Sequence, residues 1–394
     1  MILLGAAAAL PNVQFGDANN RGDTPLYQHY GDNLRHGQLP YRDFFDEYPP
    51  GALPMFVVPD VLPGASFTFW SKSLQWLCAA GCIALAAAAL RGRVRWRAAL
   101  IGLTPLLLGR VTFTRFDFWP ALLTAAAVAA VVLGRSRIAL ALLALAVAAK
   151  EYPAVLLPLF LLYVDRSAGR RETKIVTAVF AVVLAAVVLP FAALGPGGVA
   201  YSLDVQFRRP LQVESLGASL LLALHRLGAY TPHVVSTYGS QNLSGSIAVG
   251  LAVLTTLIEL TALVAVWVFF ARGRRDAGAL LTACGAAVLA FVVFGKVLSP
   301  QYMIWLVPLV PLVAGRAWRP AAGLLAGALV LTQIWSQSRY HEVVAGQSIV
   351  WIVLARDLLL VALFGLTAGI LSRARLASTA SPAAHRTNSS GRLA

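Results

Sequence analysis

Long uninterrupted apolar blocks constrain this chain more than any other feature of its sequence. Residues 180–194, 247–270 and 351–371 are almost wholly apolar and do not alternate with polar positions. A helix needs about 20 such residues to cross the hydrocarbon core of a bilayer, and a helix satisfies all its backbone polar groups internally. The chain is 12% charged, against about 25% in a typical soluble domain. These features predict an all-α, polytopic integral membrane protein.

The basic residues indicate how the chain is oriented in the membrane. They cluster in short loops and tails, at residues 91–97, 135–137, 166–174, 272–275, 316–319 and 373–375. An excess of lysine and arginine in short loops marks the cytoplasmic side. The net charge of +15 is therefore interpreted as an orientation signal, and no nucleic-acid partner is expected. The C-terminus is predicted to be cytoplasmic, and the polar loops to face outside.

This alternation predicts a single transmembrane domain over residues 1–371 with about 10–12 helices. A short first helix is expected at residues 1–10, and large outer loops at residues 11–72 and 195–246. The other crossings are predicted near residues 73–90, 98–109, 117–134, 138–149, 154–164, 175–194, 247–271, 278–294, 302–315, 320–335 and 348–371. Residues 372–394 are rich in Ser, Ala and Arg, which is typical of a disordered tail.

Charged residues collect in the outer loops rather than along the crossings. Lys150 and Lys296 directly follow apolar runs. A charge at bilayer depth costs about 2.5–3.5 kcal/mol on insertion scales, so such a lysine is expected to face a cavity or a partner. Each could instead extend its ammonium to the membrane surface, and Asp43 and Glu47 could belong to a solvated loop. Acidic and basic residues that face one cavity would suit an anionic substrate and a general base.

A few polar residues lie within predicted crossings. Glu259 could relay protons or bond to a neighbouring helix, and Arg356 with Asp357 could form a local ion pair. The cysteines have no metal-ligand spacing. No Asp-x-Asp pair precedes the outer cluster, so metal dependence stays open.

Four motifs, taken in order, resemble the pattern of glycosyltransferase family 87, which comprises GT-C-type membrane enzymes of actinobacteria. They are Asp23-x3-Tyr27 followed by Gly37 and Tyr41; Tyr48-Pro49-Pro50; Lys150-Glu151-Tyr152-Pro153; and Lys296-x2-Ser299-Pro300-Gln301-Tyr302. The resemblance extends from about residue 17 to residue 312. It implies a GT-C-like helix bundle, a polyprenyl-phosphate-linked sugar donor in the membrane lipid, and a glycan or glycolipid acceptor of the cell envelope on the outer side.

The resemblance also suggests roles for individual residues. Asp23 is the predicted general base, with Asp43 and Glu47 as alternatives. The expected ligands of the donor phosphate are Lys150, Lys296, Arg115, Arg208 and Arg209, and the expected sugar pocket contains Tyr27, Tyr48, Gln301 and Tyr302. Mannosyl and arabinosyl donors are favoured, with inversion at the anomeric carbon.

Two other functions remain open at this point. A lipid-linked sugar carrier or flippase would bind the phosphate in the same basic cavity and use Glu259, Arg356 and Asp357 for coupling. A structural partner in a cell-envelope complex would have no activity of its own. Carriers often show inverted halves and polar residues along their crossings, whereas this chain concentrates its polar residues in the outer loops. That distribution favours the enzyme.

Overall fold

The computed structural model describes residues 22–90 and 92–380, apart from the side chains of residues 93 and 376–380. The predicted helix at residues 1–10 and the tail beyond residue 380 lie outside the described residues. Within them the chain is an all-α bundle of membrane helices with one small sheet. The first part contains α1 (Thr24–Arg35), α2 (Pro54–Val61), α3 (Phe67–Ala89), α4 (Thr104–Leu108), α5 (Val111–Thr114), α6 (Phe118–Val132), α7 (Ser136–Ala149) and α8 (Leu157–Leu194).

The second part begins with the segment predicted to be an outer loop. It contains α9 (Pro196–Arg208), β1 (Leu211–Gln212), α10 (Leu216–Arg226), β2 (His233–Thr237), β3 (Ser240–Ser244), α11 (Ser246–Arg272), α12 (Ala277–Phe294), α13 (Tyr302–Leu306), α14 (Trp318–Ser336), α15 (Tyr340–Val344) and α16 (Val350–Ala380). Short 3-10 helices cover Pro50–Ala52, Gly92–Leu103, Tyr152–Leu156, Val310–Leu312 and Gly315–Ala317.

Five helical stretches of the described chain are long and apolar enough to cross a membrane: Phe67–Ala89, Tyr152–Leu194, Ser246–Arg272, Ala277–Phe294 and Val350–Arg375. The 27 residues of α11 correspond to about 40 Å of helix, which exceeds the roughly 30 Å of hydrocarbon. The helix α12 is buried over most of its length and forms the centre of the bundle. By contrast, α11 exposes Val249, Leu257 and Leu260, as expected for a surface that faces lipid.

Several predicted crossings differ in detail from the observed helices. Residues 98–109 form a 3-10 segment and the short α4, and residues 302–315 contain α13 followed by a 3-10 turn. The crossings predicted at 154–164 and 175–194 lie in the one helical stretch α8, which is broken at Gly169, where φ is +80°. Finally, α16 continues to Ala380, beyond the predicted start of the tail at residue 372.

The segment 195–246 contains a three-stranded antiparallel sheet that the sequence analysis did not predict, with strand order β1-β3-β2. Tyr238 and Gly239 connect β2 to β3 and have φ values of +53° and +67°. Two successive residues with positive φ form the tight turn whose twist matches that of a hairpin. Val234 and Leu243 lie opposite each other in this hairpin and attach it to a small apolar cluster around Trp335.

The segments predicted to face outside meet at one end of the bundle. We call this end the loop face and define it as residues 22–66, 110–117, 150–156, 195–245 and 295–301. Tyr41 has a φ of +68°, which is rare for a residue other than glycine. A side chain at position 198 would collide with the carbonyl group of Tyr41, so Gly198 lets α9 pack closely on the first loop.

The basic loops meet at the opposite end, which we call the arginine face and define as residues 92–97, 134–137, 166–174, 272–277, 314–319 and 373–375. Here the Arg97 guanidinium lies 4.7 Å from the centre of the Trp318 ring, and Arg137 pairs with Glu172 at 3.0 Å. The basic clusters thus share one face, as the alternation predicted. Which side of the membrane each face occupies stays a prediction.

Candidate active site

Asp23 lies immediately before α1, where its side chain caps no backbone N–H group of the helix. Its carboxylate instead forms an ion pair with the guanidinium of Arg115, and the Tyr27 hydroxyl donates a hydrogen bond to Asp23 Oδ2 at 3.4 Å. Tyr27 is one helical turn away on the same face, as residues four apart are. The Asp23 side chain is 29% exposed, so a predicted base and a predicted phosphate ligand lie together at an accessible position.

An aromatic cluster holds the first loop against the segment that carries Arg115. The Phe116 ring lies 5.5 Å from the Tyr27 ring and 4.8 Å from the Tyr48 ring, both edge to face. Phe56 stacks on Tyr27 at 5.0 Å. The Tyr41 hydroxyl donates to the backbone carbonyl of Tyr48. Tyr27 and Tyr48, two predicted members of the sugar pocket, are therefore adjacent to each other and to Arg115.

Lys150 is paired with Asp117, a residue to which the sequence analysis gave no role. The Lys150 ammonium donates to Asp117 Oδ1 at 2.7 Å, and the indole N–H of Trp305 donates to the same oxygen at 2.7 Å. Asp117 is fully buried and the Lys150 side chain is only 10% exposed. The ammonium of Lys150 thus lies beneath the accessible surface.

Four aromatic rings surround that ammonium. It lies 4.8 Å from the ring centre of Phe116, 5.2 Å from Trp305, 5.7 Å from Tyr48 and 5.9 Å from Tyr302. Attraction between a cation and the face of an aromatic ring helps to offset the cost of burial. Lys150 therefore connects Tyr48 of the first loop with Tyr302 of the motif that follows Lys296, although these residues are distant in sequence.

A second pair of opposite charges lies between the first loop and the segment that follows α9. Arg209 contacts Glu47 Oε2 at 3.2 Å, and their side chains are 14% and 20% exposed. The hydroxyl of Ser202 and the amide of Gln206, both in α9, donate to the backbone carbonyl of Glu47 at 3.3 and 3.4 Å. The structure therefore brings Glu47, an alternative base, to Arg209, a predicted phosphate ligand.

Gln212 attaches the segment after Lys296 to β1. Its Oε1 accepts from the backbone N–H of Leu298 at 3.0 Å, and its Nε2 donates to the Ser299 hydroxyl at 3.0 Å. Its Nε2 also donates to Glu214 at 3.2 Å. Glu214 is buried, and burial raises the pKa of its carboxyl to about 7. The sequence placed Glu214 in an outer loop but gave no sign of these contacts.

Three predicted site residues lie away from these pairs. Asp43 is exposed and pairs with Arg42 at 2.8 Å, which lowers the pKa of its carboxyl to about 2. Arg208 is exposed and pairs with Asp204 in the previous turn of α9. Lys296 is partly buried and donates to the backbone carbonyl of Phe207 at 2.6 Å.

The remaining predicted site residue, Gln301, lies at the N-terminus of α13. Its Oε1 is buried without a hydrogen-bond partner among the described residues. Neighbouring Tyr302 stacks on Trp305, with 3.9 Å between ring centres. No cluster of three His, Cys, Asp or Glu side chains suited to a metal ion occurs in the described part of the chain.

The arrangement combines two functions that group transfer to a hydroxyl requires. Asp23 and Glu47 are carboxylates at accessible positions that can accept a proton. Arg115 lies beside Asp23, and Arg209 lies beside Glu47. Both arginines can stabilise negative charge, because a fixed cation interacts more strongly with an anion in a partly desolvated site.

Comparison with known proteins shows the family to which the chain belongs. The family model for glycosyltransferase family 87 matches residues 45–293, which is more than half of the chain. The match includes Tyr48-Pro49-Pro50 and Lys150-Glu151-Tyr152-Pro153; it begins after Asp23 and ends before Lys296. A search of curated proteins gives no significant match.

A solved structure shares the fold over nearly the whole chain. The crystal structure of ArnT from Cupriavidus metallidurans bound to undecaprenyl phosphate superposes with a TM-score of 0.50 at 15% sequence identity, covering 96% of this chain and 78% of that one. The overall architecture is therefore of the GT-C type, and the resemblance inferred from the motifs is confirmed. The chain belongs to glycosyltransferase family 87 and is a multi-pass membrane glycosyltransferase.

Proposed function

We propose that this protein transfers a sugar from a polyprenyl-phosphate donor to a hydroxyl group of a cell-envelope glycan or glycolipid. Mannose and arabinose are the favoured sugars. The observation that carries the proposal is the ion pair of Asp23 with Arg115, which lies beside the aromatic cluster of the first loop. This pair places a proton acceptor next to a cation that can bind the donor phosphate.

Asp23 is the proposed general base. The acceptor oxygen attacks the anomeric carbon of the donor sugar while its proton passes to the Asp23 carboxylate. The bond from the anomeric carbon to the phosphate oxygen breaks, and the electron pair leaves with polyprenyl phosphate. Attack from the side opposite the leaving group inverts the anomeric carbon. General-base assistance of this kind typically contributes about 10²- to 10⁴-fold in rate.

Arg115 and Arg209 are the proposed principal ligands of the donor phosphate. A guanidinium can bind two phosphate oxygens at once, which suits it to this role. Lys150 is already bound to buried Asp117, so we assign it the part of a positive charge behind the pocket. Lys296 and Arg208 are proposed to lie along the approach of the phosphate, since both are near the end of α9.

Tyr27, Tyr48, Gln301 and Tyr302 are proposed to shape the sugar pocket. The rings of Tyr48 and Tyr302 both lie within 6 Å of the Lys150 ammonium and offer apolar faces to a sugar ring. Gln301 has a buried amide oxygen with no partner among the described residues. Such an oxygen favours a ligand that supplies a hydrogen-bond donor, and a sugar hydroxyl is one.

The nature of the donor rests partly on analogy. The fold neighbour ArnT was crystallised with undecaprenyl phosphate, and similarity of fold alone does not establish a shared ligand. A lipid-linked donor agrees with the two arginines of the loop face, each of which pairs with a carboxylate. Such a donor can also reach a membrane-embedded protein from the bilayer. We further propose that the loop face is on the outer side and the C-terminus is cytoplasmic, as the basic loops indicate.

A carrier without transferase activity is the alternative. It would use Glu259, Arg356 and Asp357 for coupling, but Arg356 and Asp357 are fully buried and bound to each other at 2.7 Å. Family membership also favours transfer over carriage.

The test is transfer of radiolabelled sugar from a panel of polyprenyl-phosphate donors to endogenous glycolipid, in membranes that contain either wild type or Asp23→Asn. We expect transfer with one donor sugar by wild type, and loss of transfer in the variant at equal protein level. Parallel reactions with EDTA determine whether a divalent metal is needed. Unchanged transfer in Asp23→Asn would assign the base to Glu47 or Asp43, and no transfer with any donor would favour the carrier.

A further inference from the structure

The helix α9 carries apolar side chains on the face that points away from the protein. Pro196, Ala200, Leu203 and Phe207 follow one another at intervals of three or four residues, which places them in one stripe along the helix. All four are exposed among the described residues, and Phe207 is 79% exposed. We call these four residues the α9 stripe. A contiguous apolar surface on a segment predicted to be an outer loop indicates an interaction site.

The opposite face of α9 is bound to the protein. The hydroxyl of Ser202 and the amide of Gln206 donate to the backbone carbonyl of Glu47 at 3.3 and 3.4 Å. At the end of the helix, the Lys296 ammonium donates to the backbone carbonyl of Phe207 at 2.6 Å. The α9 stripe therefore cannot turn inward unless these contacts break.

The preceding helix α8 indicates the depth at which α9 begins. Residues 175–194 follow a basic loop of the arginine face and belong to a stretch that is long and apolar enough to cross a membrane. They correspond to about 30 Å of helix, which is the thickness of the hydrocarbon core. Leu189 and Leu194 are exposed, as expected for a surface that faces lipid. Because α9 starts directly after α8, it begins near the level where the hydrocarbon ends.

The residues beside the α9 stripe are of types that suit the surface of a membrane. The Tyr201 ring is exposed and contacts the ring of Phe45, which is also exposed, at 5.2 Å. Tyrosine is enriched where a membrane meets water. Arg208 pairs with Asp204 at 2.7 Å, and an arginine can lay its stem along apolar surface while its guanidinium reaches the headgroups.

We propose that α9 is an interfacial helix whose stripe inserts into the lipid leaflet on the side of the loop face. The occupant of the stripe is lipid, because the stripe continues the lipid-facing surface of α8 and begins at the edge of the hydrocarbon. Amphipathic helices of this kind bury their apolar face about 5–10 Å into the boundary between headgroups and acyl chains. The segment 195–246 is then partly embedded in the membrane and is not only an outer loop.

Insertion of α9 would also position one of the charge pairs of the candidate site. The helix holds Glu47 through Ser202 and Gln206, and Arg209 directly follows its last residue. The pair of Glu47 with Arg209 would therefore lie beside the lipid headgroups. This consequence rests on the proposed role of Arg209 as a ligand of the donor phosphate, which could reach Arg209 while the polyprenyl chain stays in the bilayer.

The test is the accessibility of spin labels on α9 in phosphatidylcholine vesicles. Leu203→Cys and Phe207→Cys place one label each on the stripe, and wild type is the labelling blank because its three cysteines are buried. Collisions are measured with oxygen, which concentrates in lipid, and with a water-soluble nickel chelate present on both sides. Val182→Cys, at an exposed position of α8, is the lipid reference, and Thr237→Cys, at the end of β2, is the water reference.

We expect the ratio of oxygen to nickel collisions at both stripe positions to be severalfold higher than at Thr237 and close to that at Val182. A ratio equal to that at Thr237 would place the stripe in water and overturn the proposal. Few collisions with either reagent would show that protein covers the stripe, which would also overturn it. The measurement needs no sugar donor, so it keeps its meaning if the proposed function fails.

The consequence for the charge pair has a kinetic test of its own. Phe207→Ser should raise the KM for the polyprenyl-phosphate donor severalfold in vesicles, whereas Phe207→Leu, which keeps the stripe apolar, should resemble wild type. Asp32→Asn, which removes the partner of exposed Arg35 in α1, is a control outside α9 and should leave this KM unchanged. Equal KM values for Phe207→Ser and Phe207→Leu would show that insertion of α9 does not position Arg209.

Discussion

Three basic residues of the loop face are more deeply buried than two paired arginines of the arginine face. On the loop face, the side chains of Arg115, Lys150 and Arg209 are 22%, 10% and 14% exposed, and each pairs with a carboxylate from another segment. On the arginine face, Arg137 and Arg274 are 62% and 71% exposed. Solvent-exposed ion pairs such as those of Arg137 and Arg274 contribute little to the stability of a protein. The comparison separates charges that build a site from charges that orient the chain.

The largest expected effect in this comparison is on stability, at Lys150. Lys150→Met leaves buried Asp117 without its ion-pair partner, and removal of one partner of a buried pair costs about 3–5 kcal/mol. We expect a strong decrease in melting temperature in detergent, and partial recovery when Asp117→Leu is added. Arg274→Gln on the arginine face should leave the melting temperature unchanged. Equal effects of the two single variants would remove the distinction between the faces.

The next effect concerns two adjacent arginines on the loop face. Arg209→Gln removes the cation beside Glu47, and we expect the KM for the donor to rise about 10- to 100-fold, as for loss of a charge-assisted contact worth about 1.5–3 kcal/mol. Arg208→Gln should cause a smaller increase, since Arg208 is exposed and pairs with Asp204 in its own helix. Steady-state kinetics at varied donor concentration distinguish the two, and the reverse order would contradict our assignment of the phosphate ligands.

A moderate effect is expected where α9 packs on the first loop. Gly198→Ala places a methyl group against the carbonyl of Tyr41, and overpacking of this kind typically costs about 1–3 kcal/mol. Gly197→Ala is the matched control, because a side chain there meets nothing within 4 Å. If both variants melt at the same temperature, the close contact does not contribute to holding Glu47 beside Arg209.

A separate effect is a dependence of stability on pH that belongs to the loop face. Burial raises the pKa of Asp46 from 3.8 to about 8, so the folded protein binds a proton between these values that the unfolded chain has lost. Stability from this group is therefore complete at low pH and declines as the pH rises toward 8. We expect the melting temperature to fall between about pH 5 and pH 8, and to fall less in Asp46→Asn. An identical slope in the variant would show that Asp46 is not the cause.

The sequence predicted the membrane helices well because their signal is local. The apolar block of α11 is long enough to cross a bilayer, and the arginines at its end indicate its direction. The predicted helix at residues 98–109 was less accurate, since Gly102, Pro105 and Gly109 interrupt regular α-helix. The hairpin β2–β3 was missed because two five-residue strands give a weak signal in a chain dominated by apolar helices.

The candidate site could be predicted as a set of residues but not as a set of pairs. The motifs indicated Asp23, Lys150 and Tyr302, and Arg209 was indicated by its place among the basic residues of an outer loop. The pairing of Lys150 with Asp117 and Trp305 depends on how three helix ends meet, which no local pattern contains. The same holds for Glu214, whose contacts with Gln212 and Arg356 arise only from packing.

The measurement that most directly tests the central claim is turnover by purified protein in lipid vesicles, with a labelled polyprenyl-phosphate sugar and a glycolipid acceptor. Wild type and Asp32→Asn should form product and release polyprenyl phosphate in equal amounts. Asp23→Asn should be about 100-fold slower or more. The account is contradicted if Asp23→Asn turns over like wild type, or if wild type only moves the intact donor across the membrane.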